Sequence, residues 1–318
     1  MKKRVSVVYL GPGKVGSEVL RILDKLNLPI EIVGIARSET KSSEIEGWIK
    51  TVGSKLIVVD TTASDDTLPY LMMTLEQGGY IVSSNKKPYS RTQREYQAVV
   101  QYREHVFYET TVGAGLPVIS TIRELLSSGD KIVRIRGCFS GTLGFVFSQL
   151  EQGVDYGKVV AEAKEMGYTE PDPRDDLSGL DVARKALILQ RLIGESGELD
   201  QIKIEKLYPG ELAKVEVAEF MQRITEYDAK MQERMDLAKQ KKTTLRYVAD
   251  VTPEGCQVGV CEVEQTSDLG SLQGPDNILI IQTERYHDRP LVIKGPGAGV
   301  PVTAGGVVGD IIKILERI

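Results

Sequence analysis

The sequence predicts an α/β fold in which a doubly wound parallel sheet is followed by a second, α+β domain. In the first third of the chain, short apolar strands alternate with amphipathic helices, the pattern of a parallel sheet covered by helices. After residue 131 this changes to a run of helices and then a cluster of strands. With 318 residues, the chain is long enough for two cores. We expect a first domain of residues 1–130 plus 295–318 and a second domain of residues 131–294.

The first domain is predicted to begin with a strand, a glycine-rich turn and an amphipathic helix at Val15–Leu26. Apolar runs bounded by turn residues predict the rest of its sheet. The predicted strands are Val5–Leu10, Ile30–Ala36, Leu56–Asp60, Tyr80–Ser84 and Val106–Thr110. This alternation of strands and helices is the layout of a nucleotide-binding domain.

The second domain is predicted to open with a strand that ends at Phe139 and to continue as helices to about Lys242, with a long polar helix from Ala218. A mostly apolar helix is expected at Leu177–Ile193, with Asp176 as its N-terminal cap. The strands predicted after these helices are Thr244–Val251, Gln257–Glu264, Ile278–Tyr286 and Leu291–Lys294.

The tail from Gly295 is predicted to form a glycine-rich turn and then a helix. Val307, Ile311 and Leu315 recur every four residues and therefore share one face of that helix. A chain that ends in this way often returns to pack on its first domain, so we assign the tail to that domain.

The composition excludes several classes of function. The net charge of −5 and the pI near 5.4 leave no basic surface for nucleic acid. No stretch approaches the roughly 20 apolar residues of a membrane helix, and the N-terminus has no apolar signal core. Cys138, Cys256 and Cys261 show no CxxC spacing, which argues against a disulfide framework or a zinc site. We expect a soluble, cytoplasmic protein without nucleic-acid or membrane partners.

Acid–base chemistry in this chain falls to lysine and carboxylate side chains, because the only histidines are His105 and His287. The segment Glu170 to Lys185 holds five carboxylates and three cations and runs directly into an apolar stretch. Asp181 and Lys185 lie four residues apart, so they share one face of the predicted helix. We expect the pair to point into an interior cleft. The alternative is an ion pair on a solvated edge.

A GxGxxG motif follows the first strand and opens the first helix, with its glycines at Gly11, Gly13 and Gly16. These glycines permit a tight turn and a close backbone approach, so the helix N-terminus can meet a pyrophosphate. The motif predicts a Rossmann-type dinucleotide site, to which Lys14 and Val15 are further candidate contacts. The alternative is a turn with a purely structural role.

The end of the second strand bears on the choice of cofactor. An acidic residue there would bind a ribose 2′-hydroxyl, but this chain has Arg37. An arginine suits a 2′-phosphate, so NADP is favoured over NAD. If Arg37 instead faces solvent, use of both cofactors stays open.

Two further strand ends supply polar residues to the same edge of the predicted sheet. Thr61 and Thr62 follow the third strand and are candidate cofactor contacts, and Lys86 follows the fourth. In such sheets the ligand lies at the carboxyl ends of the strands, so Lys86 is expected to face cofactor and substrate. The alternative is a surface lysine in the turn before Pro88.

A glycine-containing loop follows the fifth predicted strand, in the segment Glu109–Leu116. Its carbonyl groups and its one carboxylate could form a weak monovalent-cation site. From the residues alone, an ordinary interdomain hinge is the better interpretation.

The chain resembles homoserine dehydrogenase over essentially its full length. The segments that carry the resemblance, in the order found in that family, are GPGKVG, SSNKKP, ETTVGAGLP, FSGTLGFVF, GYTEPDPRDDLSGLDVARKALIL and GPGAGVPVTAGGVVGDIIKI. The run from Gly167 to Lys185 is highly specific.

The resemblance implies a nicotinamide-dependent interconversion of L-aspartate 4-semialdehyde and L-homoserine, on the path to threonine and methionine. It places Lys185 on the catalytic lysine that donates or accepts the proton, with Asp181 beside it. The positions that the resemblance assigns to amino-acid substrate binding are Glu170, Asp176, Asp181, Lys86 and Thr142. It also places Lys86 beside the nicotinamide and Gly299 at the cofactor, and it implies a sodium site at Glu109, Val112, Ala114 and Leu116.

The resemblance also bears on assembly and regulation. It makes the second domain the catalytic and dimerisation domain, with a homodimer formed across the strands of Thr244 to Lys294. The chain is too short to carry an aspartate kinase, and an added regulatory domain is not expected after the tail. Inhibition by threonine through such a domain should be absent.

Two rival functions remain for experiment. An acyl-enzyme aldehyde dehydrogenase, such as aspartate semialdehyde dehydrogenase, would need an activated cysteine, and none of the three lies in an evident base-bearing loop. A non-catalytic NADP-binding sensor would have no need of Lys185, Asp181 and Glu170. Reduction of NADP on addition of homoserine distinguishes a catalyst from a sensor.

Overall fold

Residues 4–318 of the computed structural model form eleven strands and twelve α-helices. The first three residues of the predicted first domain lie outside the described part of the chain. In chain order the strands are β1 (Val5–Leu10), β2 (Ile30–Ala36), β3 (Leu56–Asp60), β4 (Tyr80–Ser83), β5 (Val106–Phe107), β6 (Ile132–Cys138), β7 (Lys203–Ile204), β8 (Thr243–Thr252), β9 (Gly255–Glu264), β10 (Asp276–Thr283) and β11 (Leu291–Pro296). The helices are α1 (Lys14–Leu26), α2 (Ser42–Val52), α3 (Leu68–Glu76), α4 (Gln93–Val100), α5 (Val118–Ser127), α6 (Gly141–Glu151), α7 (Tyr156–Glu165), α8 (Arg174–Leu177), α9 (Leu180–Leu192), α10 (Val217–Arg223), α11 (Asp228–Gln240) and α12 (Val300–Arg317).

Two compact units divide the described residues. The first runs to Thr121 and also includes Ala298–Ile318, and the second is Ile122–Gly297. Across residues 4–318, no helix is both long enough and apolar enough to cross a membrane.

The first unit is built on a parallel sheet with the strand order β2-β1-β3-β4-β5 among the described residues. β1 is flanked by β2 on one side and β3 on the other, so the direction of winding reverses at β1. At such a reversal, the chain segments that follow the two neighbouring strands run in opposite directions, and this opens a crevice at the carboxyl ends of the strands. Strands β1, β2 and β3 have the bounds that the sequence predicts.

The tail helix α12 completes the core of the first unit. Its buried residues Val307, Ile311 and Ile314 pack in one cluster with Val19 and Leu23 of α1. Full burial of side chains of this size contributes about 1.5–3 kcal/mol each. The buried apolar face of the tail therefore stabilises the packing of α12 in the first unit.

The second unit is built on a mixed sheet with the order β11-β10-β6-β8-β9-β7 among the described residues. Its strand pairs are antiparallel, except that β7 runs parallel to β9. Helices α6, α9 and α11 contact β8. A further apolar cluster joins Cys138, Val248 and Ile278 of the sheet to Leu269 and Leu272 of the loop before β10. These contacts place α9, with its charged N-terminal half, directly against the sheet.

The predicted fifth strand, Val106–Thr110, is shorter than expected. β5 ends at Phe107, and residues Glu109–Thr111 form a short 3-10 helix. The Glu109 amide donates to Asp310 Oδ2 over 3.0 Å, and its carboxylate accepts from the amide of Ile119 over 2.7 Å. Both contacts draw the chain out of the strand direction.

The long polar helix predicted from Ala218 is interrupted. α10 and α11 are separated by a 3-10 segment at Ile224–Tyr227, in which the first and last residues are buried. The Tyr227 ring lies edge-on to Tyr156 with the ring centroids 5.8 Å apart. Burial of these side chains changes the winding, which the polar composition of the segment did not reveal.

The predicted cap at Asp176 is wrong. Asp176 lies inside the short helix α8, and α9 begins after Gly179, whose φ of 72° is left-handed. Its carboxylate accepts from the Glu170 amide over 2.8 Å and is therefore used outside α9. The left-handed glycine therefore moves the start of the predicted helix from Leu177 to Leu180, while its end at Leu192 lies within one residue of the prediction.

Candidate active site

The turn between β1 and α1 presents backbone amides at an open surface. Gly11 has a left-handed φ of 81°, and Gly13 is the N-terminal cap residue of α1. A Cβ on Gly16 would lie 2.5 Å from the Gly11 carbonyl oxygen, so only glycine fits there. Lys14 and Val15 form the first turn, and no side chain of the described residues caps it. The uncapped amides and the positive end of the helix dipole favour a phosphate group.

A cleft of about 630 Å³ adjoins this turn. Among its lining residues are Gly11, Gly13, Ala36, Arg37, Glu39 and Thr62. Arg37 is exposed, its amide donates to Thr40 Oγ1 over 2.9 Å, and its guanidinium makes no hydrogen bond or ion pair within residues 4–318. The structure thus places the predicted Arg37 at the cleft with its donors available. Glu39, to which the sequence analysis gave no role, adds a negative charge to the same cleft.

Within the first unit, the loop after β3 meets this turn, and the loop after β4 lies beside the loop after β3. Thr61 Oγ1 donates to the Gly11 carbonyl oxygen over 2.7 Å. The Thr62 methyl carbon lies 2.5 Å from where a Gly11 Cβ would be, so these loop residues close one side of the turn. Lys86 is half-buried and precedes the short 3-10 helix Lys87–Tyr89.

Two buried residues that sequence reasoning left without a role join these loops. Asp60 is fully buried and Asn85 is 3% exposed. Asn85 Nδ2 donates to Asp60 Oδ2 over 3.0 Å and to the Ser64 carbonyl oxygen over 2.8 Å. Asp60 Oδ1 accepts from the amide and hydroxyl of Thr62 over 2.9 and 2.7 Å. The feature of the sequence that could have revealed the role of Asp60 is a carboxylate at the end of an otherwise apolar strand.

The predicted cofactor contact Gly299 is the N-terminal cap residue of α12, with a φ of 126°. Its carbonyl oxygen accepts from the Thr303 hydroxyl over 2.9 Å. A left-handed φ of this kind is open to glycine and strained for other residues.

In the second unit, α9 carries a buried lysine. Lys185 is 9% exposed, and its Nζ lies 2.7 Å from Asp181 Oδ2. The ammonium also donates to the Phe139 carbonyl oxygen, just after β6, over 2.6 Å. The Asp181 side chain is 43% exposed. A buried ammonium requires such acceptors, and this one adjoins a carboxylate that solvent reaches.

Asp176 joins two other predicted substrate contacts. Asp176 Oδ1 lies 3.0 Å from the Thr142 hydroxyl, and Asp176 Oδ2 accepts from the Glu170 amide over 2.8 Å. The Thr142 hydroxyl also lies 2.6 Å from the Tyr168 carbonyl oxygen. Burial raises the pKa of Asp176, and the negative charges of Glu170 and Asp181 add to this rise. The three carboxylates therefore share one neighbourhood, which favours a cationic group.

The carboxylate of the predicted cation loop is already engaged. Glu109 is 6% exposed and accepts from the amides of Ile119 and Ser120 over 2.7 and 3.0 Å. Lys313 Nζ lies 3.5 Å from Glu109 Oε2 and 3.0 Å from Asp310 Oδ1. Sequence reasoning missed Lys313 and Asp310 because they lie about 200 residues further along the chain.

The main-chain oxygens of the same loop are the remaining candidate ligands. Gly113 and Ala114 have left-handed φ values of 79° and 54°, and the Leu116 carbonyl oxygen accepts from the Val118 amide over 2.8 Å. Among the described residues, no three His, Cys, Asp or Glu side chains form a metal-binding group. A cation here would therefore depend on the carbonyl groups of residues 112–116.

Sequence comparison identifies relatives of known description. Residues 117–312 match the model of the family described as homoserine dehydrogenase. The chain is 40% identical to homoserine dehydrogenase of Paracoccidioides brasiliensis over 291 residues, which is 86% of this chain and 78% of that protein. It is 36% identical to the chloroplastic bifunctional aspartokinase/homoserine dehydrogenase 1 of Zea mays, over 98% of this chain but 38% of that protein. The chain thus spans about two fifths of the bifunctional relatives.

Solved structures share the fold. A Candida auris protein of unknown function, 33% identical, superimposes with a TM-score of 0.93 over 100% of this chain and 99% of its own. A hyperthermophilic archaeal homoserine dehydrogenase, solved in complex with NADPH and 24% identical, gives a TM-score of 0.75 over 99% of this chain and 98% of its own.

Proposed function

The chain belongs to the homoserine dehydrogenase family, and on this premise we propose that it interconverts L-aspartate 4-semialdehyde and L-homoserine, with a nicotinamide dinucleotide as hydride carrier. This reaction serves the synthesis of threonine and methionine. The observation that carries the proposal is the buried Lys185, held by Asp181 and the Phe139 carbonyl group.

Lys185 is suited to the proton transfer of this reaction. Reduction of the aldehyde develops negative charge on its oxygen, which an ammonium stabilises and then protonates. Its ammonium is held by Asp181 and the Phe139 carbonyl group, and we propose that it contacts the substrate oxygen from this position. In the opposite direction the same nitrogen receives the proton of the homoserine hydroxyl.

The carboxylates beside Lys185 are suited to the α-ammonium group of the substrate. We assign this role to Glu170, Asp176 and Asp181, whose charges already act on one another. Thr142 holds Asp176 in place through its hydroxyl group. Lys86 is proposed to contact both substrate and nicotinamide.

The first unit fits a dinucleotide. Only glycine fits at Gly16, the first turn of α1 is uncapped, and the adjoining cleft is large enough for a nucleotide half. The residues proposed to hold the cofactor are Gly11, Gly13, Lys14, Val15, Gly16, Arg37, Thr61, Thr62, Lys86 and Gly299. When bound, the nicotinamide supplies hydride to the aldehyde carbon or accepts it from the alcohol.

NADP is the proposed preference. The guanidinium of Arg37 lines the cleft without a partner among the described residues, so it can bind a 2′-phosphate through charge-assisted hydrogen bonds. Glu39 opposes that charge in the same cleft, so use of NAD is proposed as a secondary activity.

We also propose a monovalent cation, most simply sodium, at the loop of Glu109, Val112, Ala114 and Leu116. The successive left-handed residues Gly113 and Ala114 turn the chain there, and the contact with Glu109 would come through its carbonyl group. If so, sodium chloride should raise the melting temperature more than tetramethylammonium chloride at equal ionic strength. Equal melting temperatures in the two salts would refute the site.

Cysteine-based aldehyde chemistry is disfavoured. Burial raises the pKa of Cys138 and Cys256 to about 12 and also raises that of Cys261. Acyl-enzyme chemistry needs a thiolate, which these environments oppose. All three are free thiols, which agrees with a proposed cytoplasmic location.

The experiment that tests the function is oxidation of NADPH by L-aspartate 4-semialdehyde. The native chain should turn over, Lys185→Ala should lose at least about a hundredfold in kcat, and NADPH binding should be retained. Lys206→Ala, at a surface lysine, is the control and should keep full activity. A folded, NADPH-binding native protein without turnover would favour a sensor and remove the substrate assignment.

A further inference from the structure

We propose that Asp60 and Asn85 form a buried clamp that positions the cofactor loops, so that both act as positioning residues for the proposed dehydrogenase reaction. This inference rests on the proposed function and adds two residues to which no role has been given. Neither side chain is close enough to the surface to be expected at the ligand itself, since Asp60 is fully buried and Asn85 is 3% exposed.

The clamp joins two loops that follow neighbouring parallel strands. Asn85 comes after β4, while the atoms that accept from its Nδ2 belong to residues after or at the end of β3. The two shortest contacts are to the Ser64 carbonyl oxygen, 2.8 Å, and Asp60 Oδ2, 3.0 Å. Thr62 Oγ1 and Thr67 Oγ1 lie 3.2 and 3.3 Å from the same nitrogen. The single side-chain amide group of Asn85 thus contacts acceptors throughout the loop of residues 60–67.

The other end of Asn85 fixes the backbone around Lys86. Asn85 Oδ1 accepts from the Lys87 amide over 3.1 Å, and the Asn85 amide donates to Ser83 Oγ over 3.1 Å. These contacts enclose Lys86 between two anchored residues. The orientation of the peptide that carries Lys86 is therefore set by the same side chain that holds the neighbouring loop.

Asp60 connects this loop to the glycine turn. Both Thr62 donors are bonded to Asp60 Oδ1, and the Thr62 methyl group occupies the space beside Gly11. Thr61 Oγ1 donates to the Gly11 carbonyl oxygen. The glycine turn is therefore connected through the adjacent residues Thr61 and Thr62 to Asp60 and Asn85, and Asn85 binds the amide that follows Lys86. A buried carboxylate with three donors is costly to disturb, which makes this connection rigid.

A surface contact between the same loops supports this interpretation. Lys87 Nζ lies 2.6 Å from Asp65 Oδ2, and Arg91 donates to the Asp65 carbonyl oxygen over 2.6 Å. The two loops are therefore tied on the exposed side as well as inside. Exposed ion pairs contribute little, so the buried clamp should dominate their alignment.

The test exchanges the two side chains of the clamp. Asn85→Asp keeps the size of the side chain but places a carboxylate opposite Asp60. We expect at least about tenfold weaker NADPH binding and a lower kcat in this variant. The KM of the amino-acid substrate should change little. The double variant Asp60→Asn with Asn85→Asp restores a donor opposite a carboxylate at this contact, but not the bond to the Ser64 carbonyl oxygen, and should regain part of the lost affinity. NADPH affinity is measured by fluorescence titration and folding by thermal melting.

Asp130→Asn is the matched control. Asp130 is likewise a buried aspartate that accepts from a threonine hydroxyl, Thr283, over 2.7 Å and from two amides, and it lies in the second unit. The Asp130→Asn variant should have a lower melting temperature, but its NADPH affinity should stay within about twofold of the native value. If Asn85→Asp does not fold, Asn85→Ser removes the clamp without adding charge and carries the same expectation.

The outcomes separate the two proposals. Native-like NADPH affinity in a folded Asn85 variant, or an exchange variant no better than Asn85→Asp, overturns the clamp while the function stands. A native protein that neither binds NADPH nor turns over removes the function and the clamp together.

Discussion

Lys185 is the residue on which the proposed chemistry depends, and its surroundings explain how a buried ammonium is kept there. Asp181 supplies the opposite charge and the Phe139 carbonyl group a second acceptor. These two contacts hold the Nζ atom in a defined position. A fixed position is what the proposed role of a specific proton donor requires of a flexible lysine.

The first prediction concerns Asp181. Asp181→Asn keeps a hydrogen-bond acceptor but removes the charge beside Lys185, so kcat should fall by about ten- to a hundredfold. Because the ammonium then loses a proton more readily, the alkaline limb of the pH–rate profile in the direction of aldehyde reduction should move to lower pH. Arg184→Gln, at the same helix surface, is the control. An Asp181→Asn profile with the native alkaline limb would remove Asp181 from this role.

The second prediction concerns pH and Asp176. Burial raises the pKa of Asp176 above its usual 3.8, and the role proposed for this carboxylate, binding the substrate ammonium, requires its ionised form. As the pH falls through the raised value the carboxylate is protonated, so kcat/KM for homoserine should decrease on the acid side. The effect on stability has the opposite sign. Because the folded state favours the protonated form of Asp176, its contribution to the free energy of unfolding is lost as the pH rises through the raised pKa.

The measurement is kcat/KM against pH for the native protein and two asparagine variants. Asp176→Asn should have low kcat/KM and lack the acid limb that Asp176 produces. Asp175→Asn changes the neighbouring exposed aspartate and should keep the native profile. An unchanged acid limb in Asp176→Asn would assign that limb to another group.

The third prediction concerns Arg37 and cofactor choice. Arg37→Ala should raise the KM for NADPH by about ten- to a hundredfold, the effect expected for loss of hydrogen bonds to a charged group, and leave the KM for NADH nearly unchanged. Arg37→Lys keeps the charge and should give an intermediate value. Equal effects on both cofactors would mean that Arg37 does not read the 2′-phosphate.

At the scale of elements, the break between α8 and α9 determines where the helix that carries Asp181 and Lys185 begins. Gly179 adopts a φ of 72°, and a Cβ there would lie 1.9 Å from Tyr247 Oη. This hydroxyl donates to the Glu205 carbonyl oxygen over 2.8 Å and is therefore not free to move away. This contact fixes the start of α9 and therefore the position of Asp181, which lies two residues after Gly179.

The fourth prediction follows from that contact. Gly179→Ala combines a strained φ with a steric clash, so the free energy of unfolding should fall by about 1–3 kcal/mol and kcat should also fall. Gly153→Ala is the matched control, because φ is 84° there but a Cβ would meet no atom within 4 Å. Urea unfolding compares the two. Equal losses would show that the clash with Tyr247 is unimportant.

At the scale of the whole molecule, the second sheet offers a surface for the proposed homodimer. Val133 of β6 and Val292 of β11 are large apolar residues that are 36% and 43% exposed. Of these two strands, only β11 is an edge strand of the described sheet, and exposed apolar surface rimmed by polar residues is typical of an association site. Sharing of this sheet between two copies is therefore the assembly we propose.

The fifth prediction tests that assembly. The native chain should sediment as a dimer, and Val292→Glu should shift it towards the monomer, because a carboxylate in an apolar interface must lose its hydration. Leu237→Glu changes an apolar residue on α11 that is 48% exposed and should leave the dimer intact. A native monomer, or equal effects of the two variants, would refute the proposed surface.

Periodicity and turn residues were sufficient to predict much of the fold. The bounds of β1, β2 and β3 were correct because each strand is a largely apolar run ended by glycine, a charged residue or a polar residue. The helix after Asp176 was predicted, but its start was placed three residues too early because no local pattern reveals that Gly179 is left-handed. The winding change at Ile224–Tyr227 was missed for a similar reason, since it depends on a ring contact with Tyr156.

The sequence by itself determined the α/β class, the glycine turn for a dinucleotide and the pairing of Asp181 with Lys185, because each depends on residues close together in the chain. Only the tertiary structure decided which partners those residues have. The second acceptor of Lys185 is 46 residues away, at Phe139, and the Asp60 and Asn85 clamp spans 25 residues. Such contacts depend on which strand ends lie side by side, and sheet order is set by packing of the whole chain.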